Sequence, residues 1–304
     1  MGTPPFALAS LERLYADGHT LVGVYTQPDK PKNRGMKLIP SPVKEFALAH
    51  DIPVFQPASL KKTEQETAEQ LRALAPELIV VAAYGKLLPP AVLEAAPLGC
   101  INVHASLLPR YRGAAPINWA VLNGDRETGV TIMHMAQEMD AGDAILTRST
   151  PIGPDETAAE LYDRLKMLGA DLLSEAIGQI RAGTATRTPQ DPTAVTYAPM
   201  LTKELSPMDW GRPARELHDQ VRGLQPWPVA TADLRGTVFK IYHTAVLEET
   251  TDRVPGTILR ADKHGIRVAC GAGSVLCISE LQVQGGKRMA AGAYLLGHPM
   301  EPDA

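Results

Sequence analysis

Three cysteines, four phenylalanines and three tryptophans are all that this 304-residue chain carries of those types. Cys100, Cys270 and Cys277 form no C-x-x-C pair, so neither a disulfide framework nor a zinc-ribbon spacing is present. No apolar run reaches the ~18 residues a bilayer-spanning helix needs. Residues 1–20 lack the basic-then-apolar order of an export signal. No G-x-G-x-x-G opens a βα unit, which argues against a dehydrogenase. An excess of one charge is missing too: 30 Lys and Arg stand against 34 Asp and Glu, a formal charge of −4. That does not suit a nucleic-acid coat protein, yet a local basic patch remains open. A soluble cytoplasmic chain with no membrane partner is the expectation.

What the chain does have is periodicity. Apolar residues make up 44%, enough for two moderate cores. Up to about residue 180, short β-branched runs alternate with helical spacings. "LVGVY" (21–25), "LIVVAA" (78–83), "CINVH" (100–104) and "GVTIMHM" (129–135) read as strands. "SLERLYADG", "TEQETAEQLRALA" and "PINWAVLNG" read as helices between them, and a long helix is expected over 156–183. Alternation of this kind predicts an α/β fold with an open, mostly parallel, Rossmann-like sheet.

The composition then changes. "TATRTPQDPTAVTYAP" (184–199) is rich in Thr and Pro without apolar period, and reads as a linker. Beyond it a short helix over 211–224 precedes strand-like runs separated by glycines and charged turns, as in a small β-barrel. The expected division is a first domain over 1–183, a linker over 184–202 and a barrel domain over 203–304. The opening "MGTPPFALASLERL" is a tight turn running directly into a helix. In a parallel α/β domain such a turn normally follows a strand. Either the fold begins unusually, without its first strand, or the chain starts a few residues late.

Three stretches could carry chemistry. In "CINVHASLLPRYRG" (100–113), Asn102 and His104 are two apart on a strand and so share a face. At the carboxyl end of a parallel strand they sit where such sheets bind ligands. An amide donor and an imidazole suit a reaction that builds negative charge on a carbonyl oxygen. A strand-end pair satisfied by neighbouring backbone explains the spacing equally well. In "MDAGDAIL" (139–146), Asp140 and Asp143 flank Gly142; a carboxylate there could orient His104, or simply close a turn. Cys100, His104, His134 and Asp143 could be assembled into a metal set, but no i, i+4 His pair or close Cys/His cluster exists, and no metal is expected. The third stretch, "QPDKPKNRGMKLIPSPVK" (27–44), carries Lys30, Lys32, Arg34, Lys37 and Lys44 with no acid between 30 and 44. Its prolines and glycine are expected to keep it out of regular structure, as a phosphate clamp or as a solvated loop. The part over 203–304 is balanced in charge and adds no sign of RNA binding.

Taken together these residues resemble the folate-dependent formyltransferase family. The frame Asn102-Val103-His104-Ala105-Ser106-Leu107-Leu108-Pro109 is similar to the family's N-x-H-x-S-L-L-P signature, and the D-x-G-D loop with Asp143 follows at a distance. "GTPPFA" (2–7), "TQPDKPKNRGMKLIPSPVK" (26–44), "AAYGKLLP" (82–89), "RYRGAAPI" (110–117) and "PWPVA" (226–230) extend the resemblance over nearly the whole chain. It implies an OB-like second domain, 10-formyltetrahydrofolate as donor and the α-amino group of methionine on initiator tRNA as acceptor. It implies direct transfer, with Asn102 and His104 stabilising the oxyanion and Asp143 holding His104 and helping to remove the amine proton. Ser106, Leu107, Leu108 and Pro109 would line the folate site. Tyr84 and Gly85, with Asp140 in the 139–143 loop, would border the pterin. Arg34, with Lys30, Lys32 and Lys37, would grip the tRNA acceptor end, and the protein would be a monomer. Competing acceptors are glycinamide ribonucleotide and an amino sugar nucleotide; a binding module without catalysis is the reading from another class.

Overall fold

The computed structural model describes residues 1–32 and 37–302, apart from the side chains of Lys32 and Lys37. The chain divides into two compact units. The first comprises Met1–Pro116, Thr128–Thr150 and Tyr162–Pro199, and the second Ile117–Glu127, Pro151–Leu161 and Met200–Ala304.

The chain enters helix α1 (Pro5–Ala16) with proline at the first helical position, where the missing N–H has no intrahelical partner to lose. Phe6, Ala7, Ser10, Leu11 and Leu14 recur at helical spacing on its buried face. Strand β1 (Val24–Tyr25) follows, then a hairpin of β2 (Lys30–Lys32) and β3 (Lys37–Ile39), which pair antiparallel. The proline-rich basic stretch is therefore partly regular, contrary to the expectation from its composition. Ser41 caps α2 (Pro42–Ala49), accepting from the Lys44 N–H at 3.1 Å. Strand β4 (Val54–Phe55) pairs parallel with β1, and α3 (Glu64–Leu74) places acids in its first turn and Arg72 in its last, as the helix dipole favours.

Four strands form the sheet that carries the site. Strand β5 (Ile79–Ala82) leads through α4 (Pro90–Leu93) to β6 (Cys100–His104), and these two are parallel. The short β7 (Arg112–Gly113) and α5 (Pro116–Leu122) precede β8 (Glu127–His134), which runs antiparallel to β6, and β9 (Ala144–Pro151) completes the order β5-β6-β8-β9. Helix α6 (Ala158–Ala182) opens on a capping box in which Thr157 and Glu160 bond each other's backbone N–H. Gly169 in α6 lets that helix close on β6: a Cβ there would lie 2.9 Å from Val103 Cγ1, one residue before His104. The connecting stretch is laid along this unit. Thr188 bridges Ala144, and β10 (Tyr197–Ala198) pairs parallel with β7.

Met1 and Gly2 run between β1 and β5. The Gly2 N–H donates to the Tyr25 carbonyl at 2.9 Å, and the Ala82 N–H donates to the Met1 carbonyl at 3.0 Å. A cavity of about 530 Å³ adjoins them, lined among others by Leu11, Leu14, Val22, Leu74 and Ile79.

The second unit is built on α7 (Ala214–Gly223) and an antiparallel sheet. Its strands are β11 (Ala230–Leu234), β12 (Thr237–Thr250), β13 (Ile258–Asp262), β14 (Gly265–Ala269) and β15 (Ser274–Val283), in the order β11-β12-β15-β14-β13. A short β16 (Met289–Ala290) pairs with β15, and α8 (Ala291–Gly297) ends the regular structure. The inward faces carry Phe239, Ile241, Ile266, Val268, Leu276 and Ile278, all fully buried. The strand-rich second unit agrees with the reading of the runs beyond residue 203, and its OB-like architecture is what the family resemblance implies.

Candidate active site

On β6 every residue is buried except Asn102, which stays partly exposed. Asn102 pairs with Met133 and His104 with Thr131 across to β8, so the two polar side chains share one face of the sheet. His104 is only 5% exposed. Its Nε2 lies 2.9 Å from the Tyr111 carbonyl oxygen, and its Nδ1 lies 3.7 Å from Asp140 Oδ2.

That second distance corrects the expectation about the acidic loop. Asp140, assigned from sequence to the pterin border, stands against His104. Asp143, assigned to hold His104, is instead 3.3 Å from Arg187 Nε, on the side of the loop where Arg187 is well exposed. The cause is the loop's backbone. Asp140 has φ +52°, which turns its carboxylate inward, where Oδ2 accepts the Gly113 N–H at 2.8 Å. The Asp143 carbonyl accepts the His134 N–H at 2.9 Å and so belongs to the start of β9. Gly142 between them is obligatory by space: a Cβ there would meet the His134 carbonyl oxygen at 1.9 Å. Tyr111, at φ +61°, is a second left-handed residue, and its carbonyl is the one that meets His104. Uncommon backbone of this kind concentrates at functional sites.

The loop after β6 is held by its own polar atoms. Ser106 is fully buried and its hydroxyl donates to the Arg110 carbonyl at 2.6 Å, so it shapes the turn and presents no hydroxyl to a ligand. This corrects its placement as a lining residue. Thr131 Oγ1 donates to the Ser106 carbonyl at 2.8 Å and accepts the Leu108 N–H at 3.2 Å. Leu107, Leu108 and Pro109 remain partly exposed, with a cis peptide between the last two.

After β5 the chain turns through Ala83 and Gly85, both at positive φ. Tyr84 between them is 2% exposed, with its ring in the apolar cluster of Tyr25, Leu60, Leu71 and Val81. Burial pushes its phenol up to about 12. Its side chain is thus core, a third correction to the sequence reading, and its carbonyl accepts from Gln27 Nε2 at 2.9 Å. Gly85 is exposed.

Of the basic residues, Arg34 lies outside the described residues, as do the side chains of Lys32 and Lys37. Lys30 is exposed on β2. Lys44 is drawn into an ion pair with Asp29 at 2.6 Å and a bond to Gln56 at 2.9 Å. Lys86 has its pKa lowered, first by burial and then by the charge of Lys30, so those two cations are neighbours. Its ammonium sits on the carbonyls of Pro57 and Ala58. Composition had no means to show these partners. Burial also holds His134 below the usual histidine range, with Arg187 adding to the effect and Asp143 opposing it. Among the described residues no group of three or more His, Cys, Asp or Glu side chains is placed to hold a metal ion.

An amide and a carboxylate-backed imidazole at one strand end are groups suited to an enzyme that stabilises charge on a carbonyl oxygen and moves a proton. The match to known families makes this specific. The formyl transferase family model covers residues 1–177, and that of the formyl transferase C-terminal domain covers 200–299. The chain belongs to the formyl transferase family. A methionyl-tRNA formyltransferase of Trichlorobacter lovleyi is 49% identical over 99% of this chain and 93% of its own length. That of Alkaliphilus oremlandii is 50% identical over 99% and 96%. Among solved structures, the N-formyltransferase of Helicobacter canadensis, in complex with folinic acid and dTDP-3-aminofucose, superposes with TM-score 0.70 at 19% identity, over 91% of this chain and 96% of that one. HypX of Aquifex aeolicus, in complex with tetrahydrofolic acid, gives 0.59 at 20% identity over 82% of this chain and 43% of that one. At such identity these two establish the shared fold alone.

Proposed function

We propose that this chain transfers a formyl group from 10-formyltetrahydrofolate to the α-amino group of methionine on initiator tRNA, for translation initiation. The observation that carries the reading is near-half identity, end to end, with methionyl-tRNA formyltransferases. The amine attacks the formyl carbon and the carbonyl π pair moves onto oxygen. The C–N10 bond of the donor then breaks, and the proton lost by the amine is matched by one gained at N10. Asn102 faces the developing oxyanion, and His104 joins it by exchanging the Tyr111 carbonyl at its Nε2 for the substrate oxygen; one such donor is worth roughly 10²–10³ in rate. Asp140, rather than Asp143, orients His104 and takes part in moving the amine proton. Leu107, Leu108, Pro109 and the Gly85 turn border the folate. Lys30, with Arg34, Lys32 and Lys37, contacts the acceptor end of the tRNA. The catalytic domain is 1–183, the connector 184–202 and the OB-like domain 203–304, working as a monomer in the cytoplasm without a metal.

The test is formyl transfer from 10-formyltetrahydrofolate to three acceptors: methionyl initiator tRNA, glycinamide ribonucleotide and an amino sugar nucleotide. Transfer to the tRNA alone, with a loss of about 10² in Asp140→Asn, is expected. Transfer to either small acceptor in preference to tRNA would reject the reading.

A further inference from the structure

Gln190 lies in the Thr- and Pro-rich stretch that reads as a linker, yet all four hydrogen-bonding valences of its amide are occupied in one place. Its Oε1 accepts from Arg112 Nε at 3.0 Å and from Arg112 Nη2 at 2.9 Å. Its Nε2 donates to the Asp140 carbonyl and to the Gly142 carbonyl, each at 2.8 Å. A guanidinium can only donate and a carbonyl can only accept, so this amide has one permitted orientation. Arg112 is 7% exposed, and its remaining Nη1 reaches Glu138 Oε1 at 3.3 Å. The next residue, Gly113, gives its N–H to the Asp140 carboxylate.

The two adjacent residues of β7 thus hold Asp140 from both ends. Gly113 fixes the carboxylate directly. Arg112 fixes the backbone through Gln190, which clamps the carbonyls on either side of Ala141. Asp140 has φ +52°, a left-handed conformation that aspartate adopts more readily than most residues but still uncommonly, and the clamp holds it there. Released from it, the loop would relax and carry the carboxylate away from His104.

We infer that Gln190, oriented by Arg112, is a positioning residue that holds Asp140 against His104. The inference rests on the functional reading above for its kinetic consequence, but not for its geometric one.

The experiment compares Gln190→Leu and Gln190→Glu with the wild type. Glutamate keeps two oxygens for Arg112 but, ionised, cannot donate to the carbonyls of Asp140 and Gly142. Two readouts are taken. The first is hydrogen exchange of the Gly113 amide, which reports the Asp140 carboxylate without any substrate. The Ala114 amide, bonded to the Ala198 carbonyl at 2.9 Å in the β7–β10 pairing, is the internal control. The second is kcat and KM for transfer to methionyl initiator tRNA. In both variants Gly113 exchange is expected to quicken at least about tenfold with Ala114 within about twofold, and kcat to fall about 10- to 100-fold with KM within about twofold. Unchanged Gly113 exchange, or equal loosening of Gly113 and Ala114, would overturn the inference. A fully active Gln190→Glu would overturn it too, since that outcome leaves Gln190 only a role as acceptor for Arg112. If the wild type transfers nothing to tRNA the functional reading falls, and the exchange data still decide the positioning of Asp140. Should Gln190→Leu fail to fold, Gln190→Glu decides alone.

Discussion

The two units bury charged and titratable groups for opposite ends. In the first, His104 is nearly inaccessible, yet it shares a sheet face with the partly exposed Asn102, and Asp140 beside it keeps a 15% exposed side chain. In the second, His218, Asp219 and Arg222 on α7 are each under 5% exposed and are satisfied from every side by protein. Arg222 Nε bonds Asp219 Oδ1 at 2.7 Å, and its Nη1 reaches the Glu156 carbonyl at 3.0 Å. His218 Nδ1 lies 3.0 Å from Thr244 Oγ1, and Nε2 lies 3.1 Å from the Pro154 carbonyl and 3.2 Å from Asp155. Burial of a histidine and an aspartate therefore does not mark a site. A polar group becomes available for chemistry when the fold satisfies part of its bonding capacity and turns the rest toward open space.

Removing one charge from each cluster should have opposite consequences. Arg222→Leu leaves the buried Asp219 to the half-exposed Arg215, 3.3 Å away, and a loss of up to about 3 kcal/mol is expected, read as a lower urea midpoint. Activity at a temperature where the variant stays folded should be unaffected. Asp140→Asn should do the reverse, with transfer falling about 10²-fold, about 2.7 kcal/mol of barrier, and little change in the melt. Asp143→Asn should keep activity within about threefold, because its carboxylate meets the exposed Arg187 and not His104; an equal loss in both variants would refute the assignment.

Smaller effects are expected at Gly169 and His218. Gly169→Ala should cost about 1–3 kcal/mol, since the new methyl meets Val103 behind His104, and kcat should fall with it if the strand shifts. His218 predicts a pH dependence confined to the second unit. Burial, its largest cause, holds the folded pKa below the ordinary 6.5, so the unfolded chain takes up the proton first as pH falls. Stability should be full above about pH 7 and decline as pH drops through 6.5 towards the folded value. His218→Gln should reduce that slope, leaving the share that the likewise lowered His134 contributes; an unaltered slope would place the titration elsewhere.

Much of this was legible in the chain because local physics speaks loudly there. The alternation of "CINVH" predicts β6 residue for residue, and the helical spacing of 156–183 predicts α6 within two residues at its N-terminus and one at its C-terminus. The sequence shows little sign of β9 because its second half, Thr147 to Pro151, is polar apart from the proline and carries no apolar alternation. The hairpin of β2 and β3 is hidden because prolines mask a pairing that only the facing strand reveals. Tyr84 looked like a lining residue because a turn sequence does not say which way a ring points; the apolar cluster beside it takes the ring inward.

By itself the sequence determined that an asparagine and a histidine share a face at a strand end, because a period of two leaves no other arrangement. It determined equally that a glycine-centred acidic loop lies downstream. Which of its two aspartates meets His104 could not be decided locally, since Asp140 and Asp143 have the same chemistry and lie on either side of the same glycine. Only the tertiary structure chose. A left-handed residue at 140, an N–H from Gly113 and an amide from Gln190, 50 residues on, turn one carboxylate inward, while the exposed Arg187 takes the other.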